Sequence, residues 1–416
     1  MTPREERGLV IAATCKLNKK GGEWLVPSQS GEKIYHVNPQ AQTCTCPDHA
    51  EAGHKCKHLF AVEITVKRES NGDGTITETQ SVTFTKKTTY KQDWPAYNAA
   101  QSVEKDRLQE LLFDLTRGIP EPERTGRGRK PHGVKDSLFA MVFKVYSTIS
   151  ARRFSSDLRQ AHVRGHLSHS IPGMKINEFM ENPYFTSLLK ELIVQSARPL
   201  RAVESQFAID SSGFSTCKFE KWFDHKYGIT RQSCTWVKCH IACGVKTNVV
   251  TAVRILDKDA ADCPQFVPLV KETAKSFTIG EISADKAYAS LENFEAVAAC
   301  GGTGFIDFKS NATGAVGGMY EKMFHYFQYR KEEFMAHYHR RSNVESTFSM
   351  VKRKFGDSVR SKCETAMVNE TLCKFVCHNL CCLIQEQHEL GIEPIFWKEA
   401  EMPARDTGAL AVADRA

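Results

Sequence analysis

The chain has 416 residues, of which 41% are hydrophobic, 10% aromatic and 25% charged, enough to bury at least one large core. Its formal net charge of +7 is mildly basic, compatible with a polyanionic partner without requiring one. No run reaches the roughly 18 apolar residues of a membrane span, and Leu9 to Ala13 is too short for a secretory signal. The 15 cysteines are therefore expected as thiols or metal ligands in a reducing, cytoplasmic interior rather than as disulfides.

In chain order, Trp24-Leu-Val and Lys33 to Val37 flank a Pro27–Glu32 turn region and predict a hairpin. Cys44-Thr-Cys46, nine residues, then Cys56-Lys-His58 follow. Three thiolates and an imidazole are a ligand set for one tetrahedral structural Zn²⁺, and in a segment with so little core such metal binding is expected to supply much of the folding energy. His49 and His54, inside the loop, are substitute ligands. The arrangement resembles the SWIM zinc finger over residues 20–65, which implies a DNA- or protein-binding module. Residues 66–93, Thr-rich and without apolar periodicity, predict a linker.

Residues 94–200 predict an all-helical unit, expected to bind DNA. Leu108, Leu111, Leu112 and Leu115 mark one buried helical face, stopped by Gly118 and Pro120. Within it, Arg127-Gly-Arg129-Lys130-Pro131 is a basic joint that resembles a minor-groove hook; the inserted Lys130 favours a linker touching phosphates.

From residue 201 to 390 the pattern turns to strands at Phe207–Asp210, Thr235–Gly244 and Asn248–Leu256, then alternates. A helix at Pro264–Ser276, a strand at Ile279–Ala284, a helix at Leu291–Ala299 and a strand at Phe305–Phe308 predict a mixed sheet with helices on its faces. Tyr320 to Phe355 lacks Pro and Gly and predicts one long helix, although Ser342 and Asn343 are weak helix formers just before Glu345. A last helix spans about Ala366–Glu389; its Cys373, Cys377 and Cys381 fit core packing better than a metal. Residues 391–416 form a tail.

Candidate chemistry lies in three acids. Asp210 ends the first apolar strand before Ser211-Ser-Gly-Phe, and Asp285 follows Glu281–Ala284. On an ideal helix at about 100° per residue, Tyr338, Arg341, Glu345 and Lys352 share one narrow face. A carboxylate among a phenol, a guanidinium and an ammonium suits a metal ligand beside a phosphate backbone, against the plain alternative of a solvated charged face. Three carboxylates about 5 Å apart repel by about 3 kcal/mol per pair at an effective dielectric near 20, so their convergence calls for cations. An all-oxygen site fits two Mg²⁺ or Mn²⁺ ions. Lys238 and His240, alternating on one strand, and Lys309 are further DNA-contact candidates or sheet-edge residues. Asp307 is a rival second acid, expected mid-strand between aromatics, while Asp257, Asp259 and Asp262 read as loop acids.

Ala208-Ile-Asp210-Ser-Ser-Gly-Phe, Ala284-Asp285-Lys-Ala-Tyr288 and Tyr338-x2-Arg341-x3-Glu345-x6-Lys352 resemble the DDE transposases of the insertion-sequence-four group, over about residues 94–398. The resemblance implies an α/β, ribonuclease-H-like core with Asp210, Asp285 and Glu345 as the metal-binding triad. It further implies cleavage at element ends, transfer of the 3′-OH to target DNA, and Tyr338, Arg341 and Lys352 near the scissile phosphate. A homodimer follows from the need to hold two DNA ends, with a nucleoid-associated location if the source is bacterial. The alternatives are a silent DNA-binding or regulatory protein on the same fold and a nuclease without strand transfer.

Overall fold

The computed structural model describes residues 3–15, 17–28, 33–69, 93–123, 131–216, 236–256 and 261–397. Arg127, Arg129, Asp257, Asp259, most of the expected linker and most of the expected tail lie outside the described residues. The chain divides into two compact units, Met1–Lys91 and Gln92–Ala416.

The first unit holds α1 (Pro3–Thr14), strands β1 (Asn18–Lys20), β2 (Glu23–Pro27), β3 (Ile34–Asn38) and β4 (Thr43–Cys44), then α2 (Pro47–Ala52) and α3 (Lys57–Glu69). The strands form an antiparallel sheet in chain order, with Trp24 opposite Val37 and Val37 opposite Cys44. Trp24 and Val26 alternate into a core shared with Val37, Ile11, Leu59 and Val62. The sequence reading anticipated the β2–β3 hairpin but neither α1 nor α3, because each is half of a two-helix contact. A Cβ added at Gly8 would come within 2.5 Å of the Phe60 Cβ and 2.9 Å of the Lys57 carbonyl, so glycine permits the close approach of α1 and α3.

In the second unit, α4 (Trp94–Arg117), α5 (Val134–Ser147), α6 (Ala151–Val163), α7 (Lys175–Glu181) and α8 (Tyr184–Ala197) precede the sheet. Strands β5 (Gln206–Ser215), β6 (Trp236–Gly244) and β7 (Val250–Leu256) lead to α9 (Phe266–Ala274), β8 (Glu281–Ala284), α10 (Leu291–Ala299) and β9 (Thr303–Ile306). The remaining helices are α11 (Gly318–Tyr329), α12 (Lys331–Tyr338), α13 (Ser342–Phe355) and α14 (Glu364–Leu390). The sheet order is β7-β6-β5-β8-β9, antiparallel across β7-β6-β5 and parallel across β5-β8-β9. This mixed α/β arrangement is consistent with a ribonuclease-H-like core. Helix α14 is buried along most of its length and packs on α4, α5, α7 and α8 as well as on β6 and β7, so helices and sheet share one hydrophobic core. Cys373 and Cys377 are part of it. Among the described residues, no helix is long and apolar enough to cross a membrane.

Two local expectations are corrected. Strand β5 does not end at Asp210; it continues to Ser215, because β6 supplies partners from Ser211↔His240 to Ser215↔Trp236. Ser-Ser-Gly is a poor strand former alone, and pairing overrides that propensity. The single helix expected over Tyr320–Phe355 is three pieces, with a break at Arg330 (φ −132°, ψ 52°) and a 3₁₀ turn at His339–Arg341. The breaks let α11 and α12 fold around one ring: Phe308 lies 5.2 Å from Tyr320, 5.4 Å from Phe324, 5.5 Å from Phe327 and 6.1 Å from Phe334. The second break falls immediately before Ser342 and Asn343, whose side chains hydrogen-bond carbonyls (His339 and Val245) rather than favouring helix continuity.

Candidate active site and metal centre

Parallel register brings the strand-borne acids together. Ile209 pairs with Ala284 and Ala284 with Ile306, so the next residues, Asp210, Asp285 and Asp307, stand in a row where the β5–β8–β9 pairing ends. Neighbouring strands are about 4.8 Å apart. Asp307 is therefore just beyond a strand end, not mid-strand as its aromatic neighbours suggested. Each of the three uses Oδ1 to accept the following backbone N–H, at 2.8 Å in every case, which orients the carboxylate.

Glu345 reaches the same region from the first turn of α13. Arg341 bridges: its Nη1 donates to Asp210 Oδ2 at 2.9 Å and its Nη2 to Glu345 Oε1 at 2.7 Å. Asp210 is 22% exposed and Glu345 58% exposed, so one acid is mostly desolvated and the other projects into solvent. Burial pushes the Asp210 carboxyl above its usual range; the Ser211 N–H and Arg341 oppose this, and the Asp285 and Glu345 charges add to it. Burial also works against the Arg341 charge, yet Tyr338, Asp210, Glu345 and Asp285 together hold its pKa above the ordinary value. The acids and Arg341 thus lie in one electrostatic field, with a guanidinium between two carboxylates. An all-carboxylate donor set that gathers around a cation in this way fits a hard divalent ion.

A cleft of about 630 Å³ opens here, lined among others by Asp210, Ser212, Glu345, Lys352 and Asp357. Lys352 Nζ donates to Ser212 Oγ at 2.7 Å and sits 5.5 Å from the Phe214 ring centroid and 5.8 Å from that of Phe348. The hydrophobic walls fix the stem while the ammonium stays at the cleft. Tyr338 is partly buried; burial raises its phenol pKa, Arg341 lowers it, and Asp307 and Asp285 raise it further.

The remaining candidates are dispersed. Lys238 Nζ pairs with Asp262 at 2.6 Å. His240 is wholly buried, with Nδ1 3.4 Å from the Tyr288 hydroxyl, and burial lowers its pKa to about 4. It presents no surface to a nucleic acid in this conformation. Lys309 is exposed beyond β9.

Lys374 escaped the sequence reading, since a lone lysine on a helix carries no signal. It is 1% exposed, donates to the Gly356 and Ser358 carbonyls at 2.8 Å each, and lies 4.8 Å from the Phe214 ring centroid, on a ring that Lys352 also approaches. The loop it holds is joined to β5 by Ser215 N–H to Asp357 O at 3.2 Å and Val359 N–H to Ser215 O at 2.9 Å. Lys374 thus ties the end of α13 to the strand bearing Asp210. Lys374→Met, similar in length, strands two carbonyls and is expected to cost about 1–3 kcal/mol in urea unfolding. Burial lowers the Lys374 pKa from 10.5 to about 8. The cost of burying its charge is full below the folded-state value and fades as pH rises to the unfolded-state value. Stability of the wild type relative to Lys374→Met should therefore rise between these two pH values.

The first unit carries a separate centre. Ligand atoms of Cys44, Cys46, Cys56 and His58 all lie within 4.8 Å of one another, and all four residues are buried. His58 Nδ1 is 3.8 Å from Cys44 Sγ and 3.9 Å from Cys56 Sγ, spacings close to the tetrahedral edge implied by Zn–S bonds of about 2.3 Å. Cys44 comes from β4, Cys46 caps α2, and Cys56 and His58 open α3. Without a cation, hydrogen bonding to Cys44 pushes the Cys56 thiol down to about 3, while the same contact pushes Cys44 up. Sulfurs this close share protons unless a metal replaces them. His49 is engaged elsewhere, its Nδ1 2.8 Å from the His54 carbonyl, and neither His49 nor His54 joins the cluster.

Residues 201–380, under half of the chain, match the family model of the transposase DDE domain, a span that includes Asp210, Asp285 and Glu345. No curated protein and no solved structure matches the chain. The match supports a DDE transposase, an enzyme of the polynucleotidyl transferase and nuclease kind acting on DNA.

Proposed function

We propose, from the DDE-domain match, that the chain is a DNA transposase of the insertion-sequence-four group that cuts at the ends of its element and joins the freed 3′-OH to target DNA. The observation that carries this reading is the convergence of Asp210, beside Asp285 in register, with Glu345 from α13 through one shared guanidinium. Asp210, Asp285 and Glu345 are the residues that would hold divalent magnesium or manganese, which when bound activates the attacking oxygen and stabilises the leaving one.

The chain's own groups supply the rest. Arg341, now spanning two carboxylates, has the planar fork to turn onto a phosphate once the acids have another cation. Lys352 is aimed by Ser212 and Phe214 and meets backbone phosphate as a point charge. Tyr338 lines the approach with a neutral phenol. Exposed Lys309 extends the phosphate track, and Arg127 and Arg129 of the basic joint are assigned to phosphate contacts from their sequence alone. Cys44, Cys46, Cys56 and His58 are assigned to one structural zinc in a SWIM-type finger. Two DNA ends held at once imply a homodimer during the reaction.

The test is to incubate the full chain and Mg²⁺ with a plasmid carrying the DNA that flanks its own gene. Cuts at both element ends followed by joined products are expected. Cuts without joining leave a nuclease, and no cutting leaves a silent DNA-binding protein; either result overturns the proposal.

A further inference from the structure

Helix α6 is a two-faced element inside the helical part of the second unit. Phe154, Leu158 and Ala161 are buried, and Phe154 packs edge-on to Phe143 of α5 at 5.1 Å. At about 100° per residue these three occupy one side of the helix, while Arg152, Arg153, Ser156, Arg159, Gln160 and Val163 fall within an arc of roughly 120° on the other. All six are exposed, Val163 to 85%.

Both borders of that arc are closed. On one, Asp157 pairs with Lys105 of α4 at 3.2 Å, and Arg164, just past the helix, pairs with Asp106 at 2.5 Å. On the other, a Cβ at Gly173 would come within 2.2 Å of the Ala151 carbonyl and 2.6 Å of Ser155 Oγ, so the following loop lies directly against the helix. The one acid on α6 is thereby neutralised at the border. Arg152, Arg153 and Arg159 make no ion pair among the described residues, so three arginines and a glutamine face outward from a rigidly seated helix.

The turn into α6 is short. Thr148 closes α5 at φ 56°, Ile149 follows, and Ser150 caps α6. Two helices joined by three residues, the second presenting a basic outer face, share the connection length and outward charge of helix pairs whose second helix enters the major groove of duplex DNA. An outward arginine can fork onto guanine O6 and N7, and glutamine onto adenine N6 and N7.

We propose that the outer face of α6, through Arg152, Arg153, Arg159 and Gln160, reads base edges in the major groove of the element's terminal duplex. The inference rests on the transposase reading, and supplies for it the surface that distinguishes end DNA from other DNA.

The probe is a duplex copied from the DNA that immediately flanks the gene on each side, against a scrambled duplex of equal length and composition. Binding to the full chain is followed by fluorescence anisotropy, alongside cleavage of the end duplex. Arg159→Ala and Gln160→Ala, both exposed, should keep the wild-type melting profile. Each is expected to lower affinity for the end duplex by on the order of 10- to 100-fold with little change on the scrambled one. Equal losses on both duplexes would mean that the face touches only phosphate, and would overturn the base-reading claim. If the wild type prefers and cuts end DNA while both variants bind like it, α6 is excluded and the transposase reading stands. If the wild type neither prefers nor cuts end DNA, that reading fails and this inference with it.

Discussion

Asp210→Asn, Asp285→Asn and Glu345→Gln are each expected to remove strand cleavage, by more than the roughly 100-fold that losing an outer partner of a metal ligand costs. Each exchange deletes an anionic oxygen ligand while keeping side-chain size and one acceptor oxygen of the two, so the loss should appear in the chemical step. Binding to duplex DNA is expected to stay equal or tighten, because a negative charge beside phosphates is gone. Stability supplies a control with a definite sign. The folded-state pKa of Asp210 is raised, so its ionised form costs stability; that cost is absent below the unfolded-state pKa and fully present above the folded-state one. Asp210→Asn is therefore expected to hold or raise the melting temperature at neutral pH. Asp307→Asn separates the rivals in the row of acids: the Asp210 carboxyl feels Asp285 and Glu345, and this variant should still cut. Wild-type cleavage by any variant of the triad would remove that residue from the site.

Cys56→Ser carries the other large effect. Three of the ten buried apolar residues described in the core of the first unit are Cys44, Cys46 and Cys56, so little packing remains to hold these segments without a metal. Structural zinc contributes roughly 10–16 kcal/mol in finger peptides, far above what the remaining side chains can replace. The variant is expected to purify with less than one zinc per chain by elemental analysis and to expose residues 33–69 to proteolysis. A zinc-selective chelator should do the same to the wild type. The thermal transition of the second unit should not move. A wild-type protein free of zinc, or a variant that keeps a full complement, would refute the zinc assignment.

The sequence by itself determined the order of strands and helices from Phe207 to Ile306, the hairpin before the cysteines, and which acids and thiols were candidates. Those features are written in local periodicity and ligand spacing, which act over a few residues. Helices α1 and α3 were not legible, since their stability comes from contact with each other at Gly8 and Phe60. Nor was the break at Arg330, where packing of Tyr320, Phe324, Phe327 and Phe334 around Phe308 outweighs an uninterrupted helical composition, whereas the weak helix formers Ser342 and Asn343 did mark the second break. Only the tertiary structure decided that Asp210 and Asp285 stand side by side, that Arg341 spans Asp210 and Glu345, that His240 is buried, and that Lys374 grips the loop after α13. Strand register and burial are set by segments distant along the chain: Asp210 and Arg341 are 131 residues apart. A single position in the sequence holds no record of the partner that folding will bring to it.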